Sequence, residues 1–447
     1  MPENLLVQRV DAIRRLARRG HAAPLAKVIA KSRAEDLAAV IGHLTAPEQR
    51  LVFSQVRDDG MAAAVLNSLE GDELLHIATD LSPDRLVVLL AHLAADDQTD
   101  LLARLPEALR EGVLQRMRGE DREEVEELLG YASDTAGGIM SPLAFRLQDN
   151  LTCRDAIAAV QEASDHELIY YAYVESDEGR LVGVTSLRNL LTHPPSTGLA
   201  DIMSTDVITV RAETDQEEVA RVAAKYDLLA VPVVDDQRRL LGIVTVDDVI
   251  DVIKDEAAED MLLMAGVRGD DDEPVGRVRN ALRRLPWLMV TLGGGLLISE
   301  LITTFDGMIK AEIVLAGFIP IVMGMEGNVG IQAATVTVRG IATGRIDTGV
   351  GRAVGAEVFN GLTLGVVFAV LIGGYCMLRF GQVDVAASVA VAVVTGMTFA
   401  SLVGTLVPLS LRRFGVDPAI ATGPFVTTLM DGLGLTIYLS VAAFLLS

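Results

Sequence analysis

The last third of the chain contains five long apolar stretches, and these constrain the fold more than any other feature of the sequence. They cover residues 285–304, 312–338, 353–378, 385–411 and 419–446. Each is long enough to cross a bilayer as a helix, which takes about 20 residues. Because lipid offers no hydrogen-bond partners, a spanning segment must satisfy its own backbone. The sequence therefore predicts a transmembrane domain of five helices over residues 285–447.

Basic residues mark one side of this predicted domain. They precede the first stretch and separate the second from the third and the fourth from the fifth: Arg277, Arg279, Arg283, Arg284, Arg339, Arg345, Arg352, Arg412 and Arg413. The opposite loops carry only Lys310 and Arg379. Loops rich in Lys and Arg stay in the cytoplasm, and the N-terminal sequence lacks the apolar core of a signal peptide. We therefore expect a multi-pass protein of the inner (plasma) membrane with a cytoplasmic N-terminus and an external C-terminus.

The residues before Leu285 are acidic and carry almost all of the formal charge of −23. An acidic surface repels nucleic acid and favours cations, so nucleic acid is not expected as a partner. Cys153 and Cys376 are the only cysteines, which excludes a disulfide framework and a cysteine-built metal site. No histidine follows His193, so a transition-metal site built from histidines is excluded in the membrane part.

Residues 1–130 have the pattern of short amphipathic helices, as in AEDLAAVIGHL, DRLVVLLAHL, QTDLLARLPEAL and EEVEELLGY. Turn signals such as Thr45-Ala46-Pro47 and Ser82-Pro83-Asp84 separate them. Ser82-Pro83 is typical of a helix cap followed by proline at the first helical position. The pattern predicts a helical, solenoid-like N domain.

An internal repeat follows, with one copy from Met140 to about His193 and a second from Met203 to about Lys254. Each copy opens with Met-Ser and continues with a helical stretch, two strand-like runs and a closing helix. The order β-α-β-β-α predicts a tandem pair of α/β modules.

Asp431 is the plainest charge within the apolar stretches. It lies about 12 residues into the fifth stretch, about 18 Å along a helix axis and hence near the middle of the bilayer. Gly423-Pro424 interrupts the helical hydrogen bonds before it, and Thr427 and Thr428 share its face of the helix. Carboxylate, hydroxyl and carbonyl oxygens suit Mg²⁺, Ca²⁺ or Mn²⁺. The alternative is a structural aspartate bonded to a neighbouring helix.

The second stretch contains GMEGNVGIQ, which predicts a broken or kinked helix at membrane depth. Irregular backbone is tolerated there only when it is packed in protein or lines a wet cavity. Gly327, Asn328 and Glu326 are therefore candidates for the ion pathway, with Glu357 in the third stretch as a further carboxylate. Close helix packing through the glycines is the alternative.

A third group of candidates lies just before the membrane domain, in TVDDVIDVIKDEAAED. Spacings of three and four place Asp248, Asp251 and Asp255 on one helix face, where like charges repel each other until cations enter. A solvated acidic face is the alternative. The position of the run, between the repeat and the first span, favours a cation-sensing switch.

These features together resemble the MgtE family of Mg²⁺ channels. The resemblance covers the whole chain and rests on YASDTAGGIM, on GNVG-x-Q in the second stretch and on DPA-x₄-GPF-x-TT-x₂-D-x-LG in the fifth. It implies an N domain at 1–130, CBS domains at 131–200 and 201–255, a connecting helix and linker at 256–284 and the membrane domain at 285–447. It also implies a homodimer in the lipid bilayer with one pore on the two-fold axis.

The resemblance implies roles for individual residues as well. Asp431 of each subunit would face a largely hydrated Mg²⁺, and a plug helix from 249 to about 265 would close the pore when cytosolic Mg²⁺ is plentiful. The residues that match the family's sensing acids are Glu217, Asp227, Asp248, Asp251, Glu256, Glu259 and Asp417. Glu326 occupies a position where the family more often has a small residue.

CBS modules bind adenosine nucleotides through a G-h-h-S/T-x-x-D strand end. The second copy matches this pattern with Gly242, Thr245 and Asp248, whereas the first has Asn189 in place of the carboxylate. At most one site for ATP or another adenosine nucleotide is therefore expected per chain, in the second copy.

The function expected from the sequence is a Mg²⁺ uptake channel or transporter that cytosolic Mg²⁺ closes. A membrane enzyme is disfavoured because no nucleophile–base pair, histidine or P-loop accompanies the membrane part. Other CBS-coupled transporters place the CBS pair after the membrane domain. Selectivity for Mg²⁺ over Mn²⁺, Co²⁺ or Ca²⁺ and the choice between channel and carrier stay open at this point.

Overall fold

The computed structural model describes residues 3–19, 22–69, 71–163, 169–267, 277–343, 345–346 and 349–446. The described residues form two compact units, one reaching to Glu256 and the other starting at Ala257. Parts of the predicted linker, including residues 268–276, lie outside the described residues.

The first unit begins with short helices that stack as the sequence predicts. Their bounds are α1 Glu3–Arg18, α2 Ala22–Ile29, α3 Ala34–Ile41, α4 Ala46–Phe53, α5 Asp59–Asn67, α6 Gly71–Ala78, α7 Pro83–Leu90, α8 Ala95–Ala103, α9 Glu107–Leu114 and α10 Gly119–Leu128. The packing runs from α1 to α3, to α5, to α7 and to α9, as in a solenoid. The Ser82 side chain accepts a hydrogen bond from the Arg85 amide, so the predicted cap is present.

The repeat forms two three-stranded sheets in the predicted order. The first copy contains β1 Arg146–Gln148, α11 Cys153–Glu162, β2 Tyr171–Glu175, β3 Leu181–Ser186 and α12 Leu187–Thr192; after α13 Leu199–Ile202, the second contains β4 Val210–Arg211, α14 Gln216–Tyr226, β5 Ala230–Val234, β6 Leu240–Thr245 and α15 Val246–Met264. In each sheet the first two strands are parallel and the last two antiparallel.

The two Met-Ser segments are exchanged between the copies. Ser141 exchanges two backbone hydrogen bonds of 2.8 Å with Ile243 of the second copy. Ser204 pairs in the same way with Val184 of the first copy, at 2.8 and 3.0 Å. Gly242 is required for this approach, because a side chain there would meet the Ser141 carbonyl oxygen at 2.5 Å. The domain bounds predicted within the repeat stay predictions.

The second unit contains the apolar helices. They are α16 Arg277–Thr304, α17 Asp306–Ala311, α18 Val314–Ala342, α19 Val350–Phe380, α20 Val383–Arg413, a 3₁₀ helix Pro418–Thr422 and α21 Pro424–Leu446. Within the described residues, five of them are long and apolar enough to cross a membrane, as predicted: α16, α18, α19, α20 and α21. The short α17 was not predicted.

The sequence predicted a broken or kinked helix in this unit, and the break is absent. α18 is a continuous helix from Val314 to Ala342, so the glycine-rich segment does not break it. The glycines instead let neighbouring helices approach. A Cβ at Gly330 would lie 2.7 Å from Cγ of Met430, and one at Gly404 would overlap the Gly330 carbonyl oxygen. Close packing, the alternative interpretation of this segment, therefore explains Gly330, whereas a methyl group at Gly324 would meet nothing within 4 Å.

Candidate functional site

Asp431 lies on α21, about two helical turns after its first residue. The predicted interruption at Gly423-Pro424 is present as the boundary between the 3₁₀ helix and α21. Asp431 is therefore the eighth residue of its helix, about 10 Å from the helix start. This is nearer the start than the sequence suggested, because residues 419–423 do not belong to α21.

The Asp431 carboxylate faces a glycine on the adjacent helix. A Cβ at Gly327 of α18 would lie 3.8 Å from Oδ1, so no side chain of that residue stands between them. The Thr427 hydroxyl lies one turn earlier and donates a long hydrogen bond of 3.5 Å to the Gly423 carbonyl. Asp431 is half-buried, which leaves part of its carboxylate open on the surface of a single chain.

The remaining candidates lie on different faces of α18, α19 and α21. Asn328 lies on the exposed face of α18, whereas Glu326 is buried. Thr428 packs against α16, where a methyl group at Gly294 would overlap its Cγ2. The Glu357 carboxylate accepts a hydrogen bond of 3.3 Å from Asn360 of the same helix. The structure thus brings Gly327 and Glu326 close to Asp431.

The end of α15 packs near the start of α21. Leu263 forms an apolar cluster with Val338 of α18 and with Ala419. A Cβ at Gly423 would lie 3.3 Å from the Met264 carbonyl oxygen. Gly423 is therefore needed for contact with the connecting helix, and this contact places that helix at the C-terminal end of α18.

The predicted sensing acids do not converge in a single chain. Asp251 pairs with Lys254 at 2.6 Å, and Glu256 accepts a hydrogen bond of 2.6 Å from Gln216. Asp227 ends α14 in a left-handed conformation, and Asp417 caps the 3₁₀ helix through the Ala419 amide. Glu217 and Glu259 are exposed. Among the described residues, no three acidic, histidine or cysteine side chains meet in a geometry that holds a metal ion.

Asp248 has acidic neighbours that sequence reasoning missed. It accepts a hydrogen bond of 2.5 Å from the Thr245 hydroxyl. Burial raises its pKa to about 6, and the charges of Asp247 and Asp97 add to the effect. Burial also raises the pKa of Asp96 to about 7, with further contributions from Asp248 and Asp97. Asp96, Asp97 and Asp248 therefore lie close enough for their charges to interact.

A cavity opens beside these carboxylates. It is lined by residues of the N domain and of both copies of the repeat, among them Asp96, Asp97, Tyr170, Tyr171, Tyr173, Thr245, Asp247 and Asp248. Tyr173 is 2% exposed, and its hydroxyl has no hydrogen-bond partner among the described residues. Thr245 and Asp248, predicted from the nucleotide motif, line the cavity. Gly242, predicted with them, packs against Ser141 and does not belong to the lining.

Family models match three of the five predicted parts of the chain: the N domain, the second CBS domain and the membrane domain. The model described as the MgtE divalent cation transporter matches residues 319–441. The MgtE intracellular N domain matches residues 32–134, and the CBS domain matches residues 199–255.

Curated relatives match over most of the chain. The magnesium transporter MgtE of Thermus thermophilus is 38% identical over 457 aligned residues, which cover 100% of this chain and 99% of that protein. The magnesium transporter MgtE of Enterococcus faecalis is 40% identical, covering 72% of each chain. That of Bacillus subtilis is 33% identical and covers 85% of this chain and 84% of its own.

Solved structures agree with the fold of the soluble part. The cytosolic domain of the Mg²⁺ channel MgtE in complex with ATP is 36% identical with a TM-score of 0.51, covering 54% of this chain and 99% of that one. The soluble part of a magnesium transporter is 31% identical with a TM-score of 0.50, covering 56% and 99%. From its N-terminal helices to its apolar helices, the chain belongs to the MgtE family of divalent cation transporters.

Proposed function

We propose that this protein is a magnesium uptake transporter and that Asp431 lies in its ion pathway. Its activity is then transport and not catalysis. The observation that carries the proposal is a half-buried carboxylate on an apolar helix, facing a glycine of the adjacent helix. A charged side chain inside a membrane costs free energy, and its presence therefore indicates a function in transport. Mg²⁺ prefers oxygen ligands and retains several waters. The relatives named as magnesium transporters support Mg²⁺ as the substrate.

The pathway would be completed by a second copy of the chain. Asp431 keeps an open side in one protomer, and a two-fold axis through this side would set two carboxylates against one hydrated ion. The basic residues at alternate loops support a cytoplasmic N-terminus and an external C-terminus. In this orientation the end of α15 would stand at the cytoplasmic mouth.

Gating would depend on the acids of the soluble unit. Burial raises the pKa of Asp96 and of Asp248, and the charge of Asp97 adds to both shifts, so a cation would relieve repulsion among these carboxylates. A conformation that binds more Mg²⁺ gains population as cytosolic Mg²⁺ rises. If that conformation holds α15 near Gly423, the pathway closes when the cell has sufficient Mg²⁺.

A nucleotide would occupy the cavity beside Asp248. Among the described residues, its lining contains four aspartates and no lysine or arginine. A free triphosphate would be repelled there, so ATP would enter as its Mg²⁺ complex. The solved relative with ATP supports a nucleotide in the soluble part, and calorimetric titration should give at most one site per chain.

The test of the ion pathway is neutralisation of Asp431. Asp431→Asn and Asp431→Ala should abolish Mg²⁺ uptake in liposomes and growth of a bacterium that lacks its own Mg²⁺ transporters. Asp384→Asn, at an exposed acid at the start of α20, is the matched control and should retain uptake. Wild-type growth with Asp431→Asn would remove this residue from the mechanism. Competition by Mn²⁺ and Co²⁺ in the same assay measures selectivity, and single-channel recording distinguishes channel from carrier.

A further inference from the structure

A second carboxyl group, that of Glu326, lies beside Asp431 and has no role in the proposed ion pathway. Glu326 of α18 is 1% exposed. Among the described residues, neither of its carboxyl oxygens has a hydrogen-bond partner. Burying a polar group without a partner costs on the order of 2–7 kcal/mol. A group retained at such a cost calls for a structural or functional reason.

The carboxyl group of Glu326 fills a niche between glycines of two other helices. A methyl group at Gly396 of α20 would overlap Oε1, and one at Gly434 of α21 would overlap Oε2. The side chain therefore contacts both helices at once. Its oxygens fill the space that side chains at these two positions would take and form no hydrogen bond among the described residues, which favours a role in packing over direct binding of an ion.

This niche lies one turn from Asp431. Gly434 follows Asp431 by three residues, so the two share a face of α21. The residue after Glu326 is Gly327, which faces Asp431 itself. Glu326 and Gly327 thus contact two successive turns of α21, and a rotation or shift of α21 at this contact would displace the Asp431 carboxylate.

Further contacts fix the same pair of helices on either side of the niche. The Tyr438 hydroxyl donates a buried hydrogen bond of 2.9 Å to the Leu315 carbonyl. On the other side, Gly330 approaches Met430. Glu326 lies between these two contacts along α18.

We propose that Glu326 is a positioning residue: its side chain, held between Gly396 and Gly434, sets the spacing of α18, α20 and α21 and thereby the place of the Asp431 carboxylate. The inference rests on the role proposed for Asp431. Mg²⁺ and Ca²⁺ differ in size and in how readily they lose water. The ratio of Mg²⁺ to Ca²⁺ uptake is therefore the property that a displaced Asp431 changes.

Variants of Glu326 that change the size of its side chain, made in the full-length protein, test this positioning role. Glu326→Ala should fold and lower the Mg²⁺:Ca²⁺ uptake ratio in liposomes roughly fivefold or more, because a site must be held to within about 0.5 Å by its supporting residues. Glu326→Gln, which keeps the size of the side chain, should retain the ratio better than Glu326→Ala. Should Glu326→Ala fail to fold, Glu326→Asp carries the same test, because it withdraws the carboxyl group from both glycines.

The reciprocal variants test the niche itself. Gly434→Ala should lower the melting temperature in detergent and reduce uptake, although alanine is the better helix former by about 1 kcal/mol. Glu326→Ala combined with Gly434→Ala should recover the melting temperature, because the added methyl group then has space. Gly374→Ala in α19, where a methyl group meets nothing within 4 Å, is the control.

Three results would overturn the inference: a wild-type uptake ratio in Glu326→Ala, no effect of Gly434→Ala, or no recovery in the double variant. These outcomes differ from a failure of the transport proposal. If Asp431→Asn retained uptake, Asp431 would not belong to the ion pathway. The melting temperatures of the Glu326 and Gly434 variants would still show whether Glu326 packs between the two glycines.

Discussion

Asp96 lies on α8, and its pKa is raised by burial and by the charges of two other aspartates. Its neighbour Asp248 lies about 150 residues later, and the two meet because α8 packs beside the second copy of the repeat. Local patterns identify Asp248 through the strand-end motif, but Asp96 lies in an ordinary amphipathic helix. A contact between distant parts of the chain leaves no periodic signal in either segment.

The raised pKa of Asp96 predicts a pH dependence of stability. The folded state keeps the proton up to about pH 7, whereas the unfolded chain releases it near 3.8. The folded state therefore binds more protons between these values, and stability falls as pH rises through this window. Because one pKa unit is worth about 1.4 kcal/mol, the loss from this group is at most about 4 kcal/mol.

Urea denaturation of the soluble unit in EDTA, at pH 5 and at pH 8, measures this effect. Asp96→Asn should reduce the difference between the two pH values, and Mg²⁺ should stabilise the wild-type unit more at pH 8 than at pH 5. Asp72→Asn, at an exposed acid of α6, is the control. An equal pH difference in wild type and Asp96→Asn would contradict the assignment.

At the scale of helices and strands, the sequence predicted the order of elements well, but the break that it allowed in α18 is absent. The β-α-β-β-α order of both copies follows from local periodicity, and so do the five apolar helices. The glycines of α18 suggested a break, because glycine favours irregular backbone. Whether a glycine breaks a helix or admits a neighbour depends on what packs against it, and that information lies on α20 and α21.

This packing predicts the effect of substitutions at the helix contacts. Gly404→Ala should destabilise the membrane domain, because the new methyl group would overlap the backbone carbonyl oxygen of Gly330, which cannot rotate away. Overpacking of this kind costs typically about 1–3 kcal/mol. A lower melting temperature of the full-length protein in detergent is the measurement. Gly317→Ala in α18, where the added carbon has open space, should melt near the wild-type temperature.

At the scale of the whole molecule, the proposed sensor predicts a response to Mg²⁺ around Lys254. This lysine lies in α15 and pairs with Asp251 at 2.6 Å. If Mg²⁺ favours the conformation that holds α15 in place, cleavage by trypsin at Lys254 should slow as Mg²⁺ rises into the millimolar range. Ca²⁺-free digestion followed by mass spectrometry identifies the cut. Equal cleavage rates with and without Mg²⁺ would remove the sensor role while leaving the role of Asp431 intact.

The acidic cavity predicts a link between the nucleotide and the ion. ATP should bind the protein more tightly with Mg²⁺ than with EDTA, because four aspartates line the cavity. Adenosine, which has no phosphates, should bind with the same affinity in both conditions. Isothermal titration of the detergent-solubilised protein compares the two ligands. Stronger binding of ATP in EDTA would contradict the charge argument.

The exchange of Met-Ser segments between the two copies makes the pair inseparable. Each sheet obtains an edge partner from the other copy, through Ser141 with Ile243 and Ser204 with Val184. An isolated copy would leave that edge unpaired, with a glycine exposed where a methionine belongs. Neither copy keeps its edge paired without the other, so the two should unfold together as one cooperative unit.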